Sequence, residues 1–133
     1  MTITQSDRQA QTPALSISDV AAASGLSTST LRYYESEGLL RGEIDRASSS
    51  HRRYTDQDLA WVTFITKLRS TGMPIRDIRR YTELAREGDH TTPARLALLV
   101  EHRERVLAEL AEIQQSLATI DFKISTYERF TTR

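Results

Sequence analysis

The sequence contains no cysteine, so disulfides, zinc-thiolate sites and thiol redox switches are excluded on chemical grounds. Proline and glycine are scarce, three and five in 133 residues, and the few present punctuate longer regular segments. No apolar run reaches the roughly 18 residues that a membrane-spanning helix needs. An excess of one charge sign is missing too: 18 Lys and Arg balance 18 Asp and Glu, so any nucleic-acid surface has to be local. With 38% hydrophobic and 27% charged residues, the composition suits one modest core with an extended element beside it. Residues 1–14 are polar and lack the apolar stretch of a secretion signal, which predicts a disordered tail and a cytoplasmic protein.

A local basic excess does occur. Residues 41–80 hold nine basic side chains (Arg41, Arg46, Arg52, Arg53, Lys67, Arg69, Arg76, Arg79, Arg80) against five acidic ones. A solvated mixed-charge face would look the same, so charge alone does not decide a function.

Ordered structure is predicted to start at Ser16, where Ser16 and Asp19 have the spacing of a capping box. Val20, Ala21 and Leu26 give this short helix an apolar side, and Gly25 supplies a turn. Ser27 caps a second helix in which Leu31 and Tyr34 share one face. The order is that of a helix-turn-helix and equally that of plain αα packing. Gly38, Leu39 and Leu40 end the second helix, and residues 41–53 read as a loop or short hairpin. Thr55 and Asp58 make a second capping box, opening a helix with Leu59, Trp61, Val62, Phe64, Ile65 and Leu68 as its apolar stripe and Gly72 as its stop. Trp61 reads as a packing residue, with base stacking as the alternative. Pro74 begins a fourth helix with Ile75, Ile78, Tyr81, Leu84 and Ala85 inward and Arg76, Arg79 and Arg80 outward, ended by Gly88. Those arginines are either a second phosphate-contacting face or a solvated one.

From Thr92 and Pro93 a helix continues without Gly or Pro toward the C-terminal region. Leu96, Leu99, Arg103, Val106, Leu110, Ile113, Leu117, Ile120, Ile124 and Tyr127 follow alternating steps of three and four. This is the a/d seam of a coiled coil, with Arg103 its only polar member. Residues 94–127 would span roughly 50 Å. Such a seam exceeds what so small a domain can cover and predicts pairing with the same helix of a second subunit.

The stretch 27–54 carries the functional reading. Serine and threonine at a helix start leave N–H groups and short hydroxyls for phosphates and base edges, and an arginine-rich loop beside them can cross a sugar-phosphate backbone. The order of LRYYESEGLL, HRRYTDQDL, LRSTGMPIRDI and a terminal coiled-coil helix resembles the MerR family of bacterial transcription regulators, over residues 15–128. The run RRYTELAREGDHTTPAR is similar to the aldehyde- and thiol-stress subgroup.

The resemblance implies a mostly α fold: a winged helix-turn-helix DNA-binding domain over 15–88, a long antiparallel coiled-coil dimerisation helix over 92–128, and a tail over 129–133. It implies that Ser27, Thr28, Thr30, Arg32 and Tyr33 meet the major groove and adjacent phosphates. Arg52, Arg53 and Tyr54 would act from the wing, and Arg76 and Arg79 from the following helix pair. The implied partners are double-stranded promoter DNA with an inverted-repeat operator, a second identical subunit, and RNA polymerase at the promoter. The implied mechanism is distortion of the DNA. No cofactor and no membrane association are expected.

The chain departs from the family pattern at Ser50 and His51, where a glycine is usual, and at Arg41 and Gly42, where a proline is usual. The subgroup's sensing cysteine falls at Lys67, and the cysteines of metal-sensing members are absent. His51, His90 and His102 have no ligand spacing. No room is expected after residue 128 for the drug-binding domain of larger relatives. Two other readings stand beside this one. One is a small all-α dimeric enzyme using Arg103 with Glu101 or Glu104, which lacks a convergent acid-base set. The other is a coiled-coil adaptor, which leaves the arginine wing unexplained.

Overall fold

A computed structural model describes residues 15–42, 45–46 and 52–132. The expected N-terminal tail and the Ser50-His51 wing tip lie outside these residues. The chain divides into two compact units, with the break between Thr92 and Pro93.

In the first unit, helix α1 spans Ile17–Ser24 and helix α2 spans Thr28–Ser36. A two-stranded antiparallel ribbon follows, β1 Asp45–Arg46 against β2 Arg52–Arg53. Helices α3, Asp56–Ser70, and α4, Ile75–Glu87, complete the fold before a 3₁₀ turn at Asp89–Thr91. Local chemistry explains these starts. The Ser16 hydroxyl accepts from the Asp19 amide at 3.1 Å, and the Asp19 carboxylate accepts from the Ser16 amide at 2.9 Å. Thr55 and Asp58 repeat the reciprocal pair at 3.1 and 2.8 Å. Each box satisfies N–H groups that a helix start otherwise leaves open. Between α1 and α2 the chain turns at Gly25, whose φ of 75° is left-handed backbone that a side chain resists.

Helix α1 packs on both α2 and α3, and α3 packs on α4. Their shared core holds Val20, Leu31, Leu39, Tyr54, Val62, Ile65, Met73 and Ile78, all with no exposed surface. Leu39 and Met73 join it from loop positions that show no helical periodicity. The α3 stripe is narrower than the sequence suggests: Val62, Ile65 and Leu68 are buried, whereas Leu59 and Trp61 are half-buried and Phe64 is 37% exposed. Trp61 is a packing residue, stacked on Tyr81 at 5.6 Å between ring centroids, with its indole N–H donating to the Leu39 carbonyl at 2.8 Å. On α4, Ile75 stays half-buried while Thr82 is fully buried. The Thr82 hydroxyl donates to the Ile78 carbonyl at 2.9 Å, which removes the cost of burying it.

The second unit is helix α5, Thr92–Thr131, 40 residues long. It runs past residue 128 as far as Thr131, into the stretch expected to be a tail, since no Gly or Pro interrupts it there. At 1.5 Å per residue it extends about 60 Å.

Candidate nucleic-acid interface

Helix α2 offers its N-terminus and one side to solvent. Leu31 and Tyr34 are buried, which turns Arg32 and Tyr33 outward; Tyr33 is 47% exposed. Ser27 adopts extended backbone (φ −79°, ψ 158°), and its hydroxyl accepts from the Thr30 amide at 3.1 Å. The Thr30 hydroxyl lies 3.0 Å from that of Ser27. Thr28 and Thr30 are half-buried, and Ser27 is exposed. Among the four α-helices in the described residues of this unit, α2 has no acidic residue in its first turn, whereas α1 carries Asp19, α3 carries Asp56 and Asp58, and α4 carries Asp77. The positive end of the α2 dipole is therefore not neutralised by its own side chains and suits an anion such as phosphate.

The wing is a hairpin at its base, with Asp45 opposite Arg53 and Arg46 opposite Arg52. Arg53 is exposed. Tyr54 differs from the expected wing role: its side chain has no exposed surface, and its backbone bridges to Leu15. It anchors the wing to the core and cannot present its ring to DNA. Nothing in the local sequence signals this, because the partner strand residue lies far back in the chain.

The α4 arginines separate in kind. Arg76 stands out from the surface, its side chain 85% exposed, with the Asp77 carboxylate only at 4.0 Å. Arg79 turns back instead. Its Nε donates to the Glu37 carbonyl at 2.9 Å and its Nη2 to the Glu37 carboxylate at 2.5 Å. The expectation that Arg79 contacts phosphate therefore meets a guanidinium already engaged beside the end of α2. Arg86, which sequence reasoning passed over, donates through Nε to the Arg41 carbonyl at 2.9 Å and through Nη2 to the Leu40 carbonyl. Among the described residues, no three or more His, Asp or Glu side chains cluster as a metal site, and no helix is long and apolar enough to cross a membrane.

Two family models match this chain: the MerR HTH family regulatory protein over residues 15–84 and the MerR DNA-binding region over residues 59–121. An HTH-type transcriptional regulator of Haemophilus influenzae is 36% identical over 105 residues, covering 79% of this chain and 77% of that protein. AdhR, an HTH-type transcriptional regulator of Bacillus subtilis, is 39% identical over 93 residues, or 70% and 66% of the two chains. Among solved structures, HiNmlR, a MerR family regulator lacking the sensor domain and bound to promoter DNA, superposes with a TM-score of 0.79 at 33% identity, over 88% of this chain and 92% of its own. A MerR family transcriptional regulator from Listeria monocytogenes gives 0.80 at 37% identity, over 86% of each chain. The chain belongs to the MerR family of helix-turn-helix regulators and is a DNA-binding transcription regulator, not an enzyme.

Proposed function

We propose that this regulator acts in the cytoplasm as a homodimer on an inverted-repeat promoter operator and distorts the DNA between the half-sites so that RNA polymerase can engage the promoter. The observation that carries the reading is the seam of α5. Leu96, Leu110, Ile113, Leu117, Ile120, Ile124 and Tyr127 are each about half exposed or more, at 48 to 65%, and they repeat at coiled-coil spacing. An apolar row of that length is a protein-association surface.

Its alternation of three and four reads the same in both directions about a midpoint between Leu110 and Ile113. Two antiparallel copies would therefore set Leu110 against Ile113, Val106 against Leu117, Leu99 against Ile124 and Leu96 against Tyr127. Arg103 would face Ile120 of the second copy with Asp121 alongside. A parallel pair would instead place Arg103 against its own copy, two like charges at one apolar layer. The antiparallel arrangement is the one we assign.

Ser27, Thr28, Thr30, Arg32 and Tyr33 would then read the major groove and flanking phosphates, with Arg52 and Arg53 on the backbone from the wing and Arg76 on a phosphate further along. Two copies of α2 held one or two helical turns apart, at about 34 to 36 Å per turn, match a two-fold symmetric site. Distorting the DNA between them costs several kcal/mol, which phosphate contacts from both wings offset. Fluorescence anisotropy on the chain's own upstream promoter and on a random duplex tests the reading, with a doubly labelled promoter reporting the bend by energy transfer. Tight, promoter-selective binding with a change in end-to-end distance is expected. Equal binding to both duplexes would overturn it.

A further inference from the structure

Between the end of α2 and the wing, the chain passes through residues 37–41, and its carbonyls accept hydrogen bonds from side chains of α3 and α4. The Glu37 carbonyl accepts from Arg79 Nε at 2.9 Å, the Leu39 carbonyl from Trp61 Nε1 at 2.8 Å, and the Arg41 carbonyl from Arg86 Nε at 2.9 Å, while Arg86 Nη2 also donates to the Leu40 carbonyl. Arg79 adds the Glu37 carboxylate, and the Arg41 guanidinium lies 5.9 Å from the Trp61 ring centroid. Four carbonyls of one short strap thus depend on side chains of α3 and α4. Such a strap has no secondary structure of its own, so these donors, together with the buried Leu39 and Leu40 side chains, set the direction in which it leaves α2.

We infer that Arg79 and Arg86 are positioning residues for DNA reading: their forked guanidinium groups fix the angle between the reading helix and the wing, and they do not themselves meet the DNA. The two lie two turns apart on α4, on the same side of the helix. Each grips two oxygens at once, which a planar guanidinium does and a single ammonium does not. At the start of the strap Gly38 has φ 74°, and the Leu39 and Leu40 side chains beyond it are buried in the core, so the donors complete the hold on its polar side. Reading base edges requires α2 and the wing to reach the duplex together, so a small error in their angle lowers specificity first. Contact with phosphates, which tolerates displacement, would largely survive.

This inference rests on the proposed DNA-reading role, and lysine substitution separates the two. Arg79→Lys and Arg86→Lys keep the charge, so a residue that merely meets a phosphate would bind operator nearly as before. A positioning residue would lose its two-oxygen grip. In the full-length protein, each lysine variant is expected to lower the preference for operator over random duplex by roughly tenfold, the size of one misplaced base contact, with affinity for random duplex and the slope of log K against log salt unchanged. Glu37→Gln, which leaves the carbonyl contact intact, is expected to lose less. Circular dichroism and thermal melts confirm that the variants are folded; should a lysine variant melt out, Glu37→Gln and the remaining lysine variant carry the test. Unchanged preference in the lysine variants would overturn the inference. So would a salt slope lowered by about one in the corresponding alanine variants, the signature of a lost phosphate contact. A wild-type protein with no operator preference would instead defeat the proposed function itself.

Discussion

Leu15 and Tyr54 exchange two backbone hydrogen bonds, each amide donating to the other's carbonyl at 2.8 Å. This bridge ties the segment entering α1 to the far end of the wing, and the Tyr54 ring fills the core behind it with no exposed surface. The wing is consequently rooted in the hydrophobic core. Tyr54→Ala is predicted to destabilise the protein by about 3 to 5 kcal/mol, as removal of a buried aromatic side chain does, measured by urea unfolding. The milder Tyr54→Phe, assayed while folded, should leave the affinity for operator and random duplex unchanged. Weaker binding to both duplexes by a folded Tyr54→Phe protein, the mark of a lost hydroxyl contact to the backbone, would return the residue to the DNA surface.

The wing arginines should behave in the opposite way. Arg53 is exposed and Arg52 sits opposite Arg46 in the ribbon, so both belong to the wing and not to the helix that would face base edges. Replacing Arg52 and Arg53 with Ala should weaken operator and random DNA by similar factors and lower the slope of log K against log salt by about two. An unaltered slope would remove both residues from the phosphate contacts.

Arg103 interrupts an otherwise apolar seam and is exposed in the single chain. If it fixes register or snorkels to the seam's edge beside Asp121 of a second copy, Arg103→Leu should give a dimer as stable as the original or more so, with DNA binding retained. Sedimentation equilibrium across a dilution series measures this. A monomeric Arg103→Leu protein would contradict the assignment.

The register can be read chemically because the chain has no native cysteine. In the antiparallel arrangement Leu110 meets Ile113 of the second copy, so a chain carrying both Leu110→Cys and Ile113→Cys should oxidise to a covalent dimer. Chains carrying Leu96→Cys alone should not, since the two copies of that residue would lie at opposite ends. Efficient cross-linking through Leu96→Cys would indicate a parallel pair.

Much of this architecture was legible in the chain because its causes are local. The boxes at Ser16 and Thr55 need only a hydroxyl and a carboxylate three residues apart, and the α5 seam needs only its period. The burial of Tyr54 was not legible, since it follows from pairing with Leu15, and an arginine, tyrosine pair after a loop looks the same exposed or anchored. Arg79 illustrates the same limit on α4. Helical spacing places it outward with Arg76 and Arg80, but only the fold brings Glu37 within reach of its guanidinium. Arg86 escaped notice because its acceptors are backbone carbonyls, which carry no signature in sequence. At residues 27 to 33 the local part was legible: the Ser27 cap and the buried pair Leu31 and Tyr34, which leave Arg32 and Tyr33 facing out.

The central claim, that the α5 seam holds two reading helices at operator spacing, is tested most directly by breaking the seam in the full-length chain with Leu110→Glu and Ile113→Glu. Analytical ultracentrifugation paired with anisotropy on operator and random duplexes reads both consequences. The account predicts a monomer that binds both duplexes weakly and with strong salt dependence, having lost most of its preference for the operator. A monomeric variant that kept full operator preference, or an intact chain that sedimented as a monomer while discriminating between the duplexes, would contradict it.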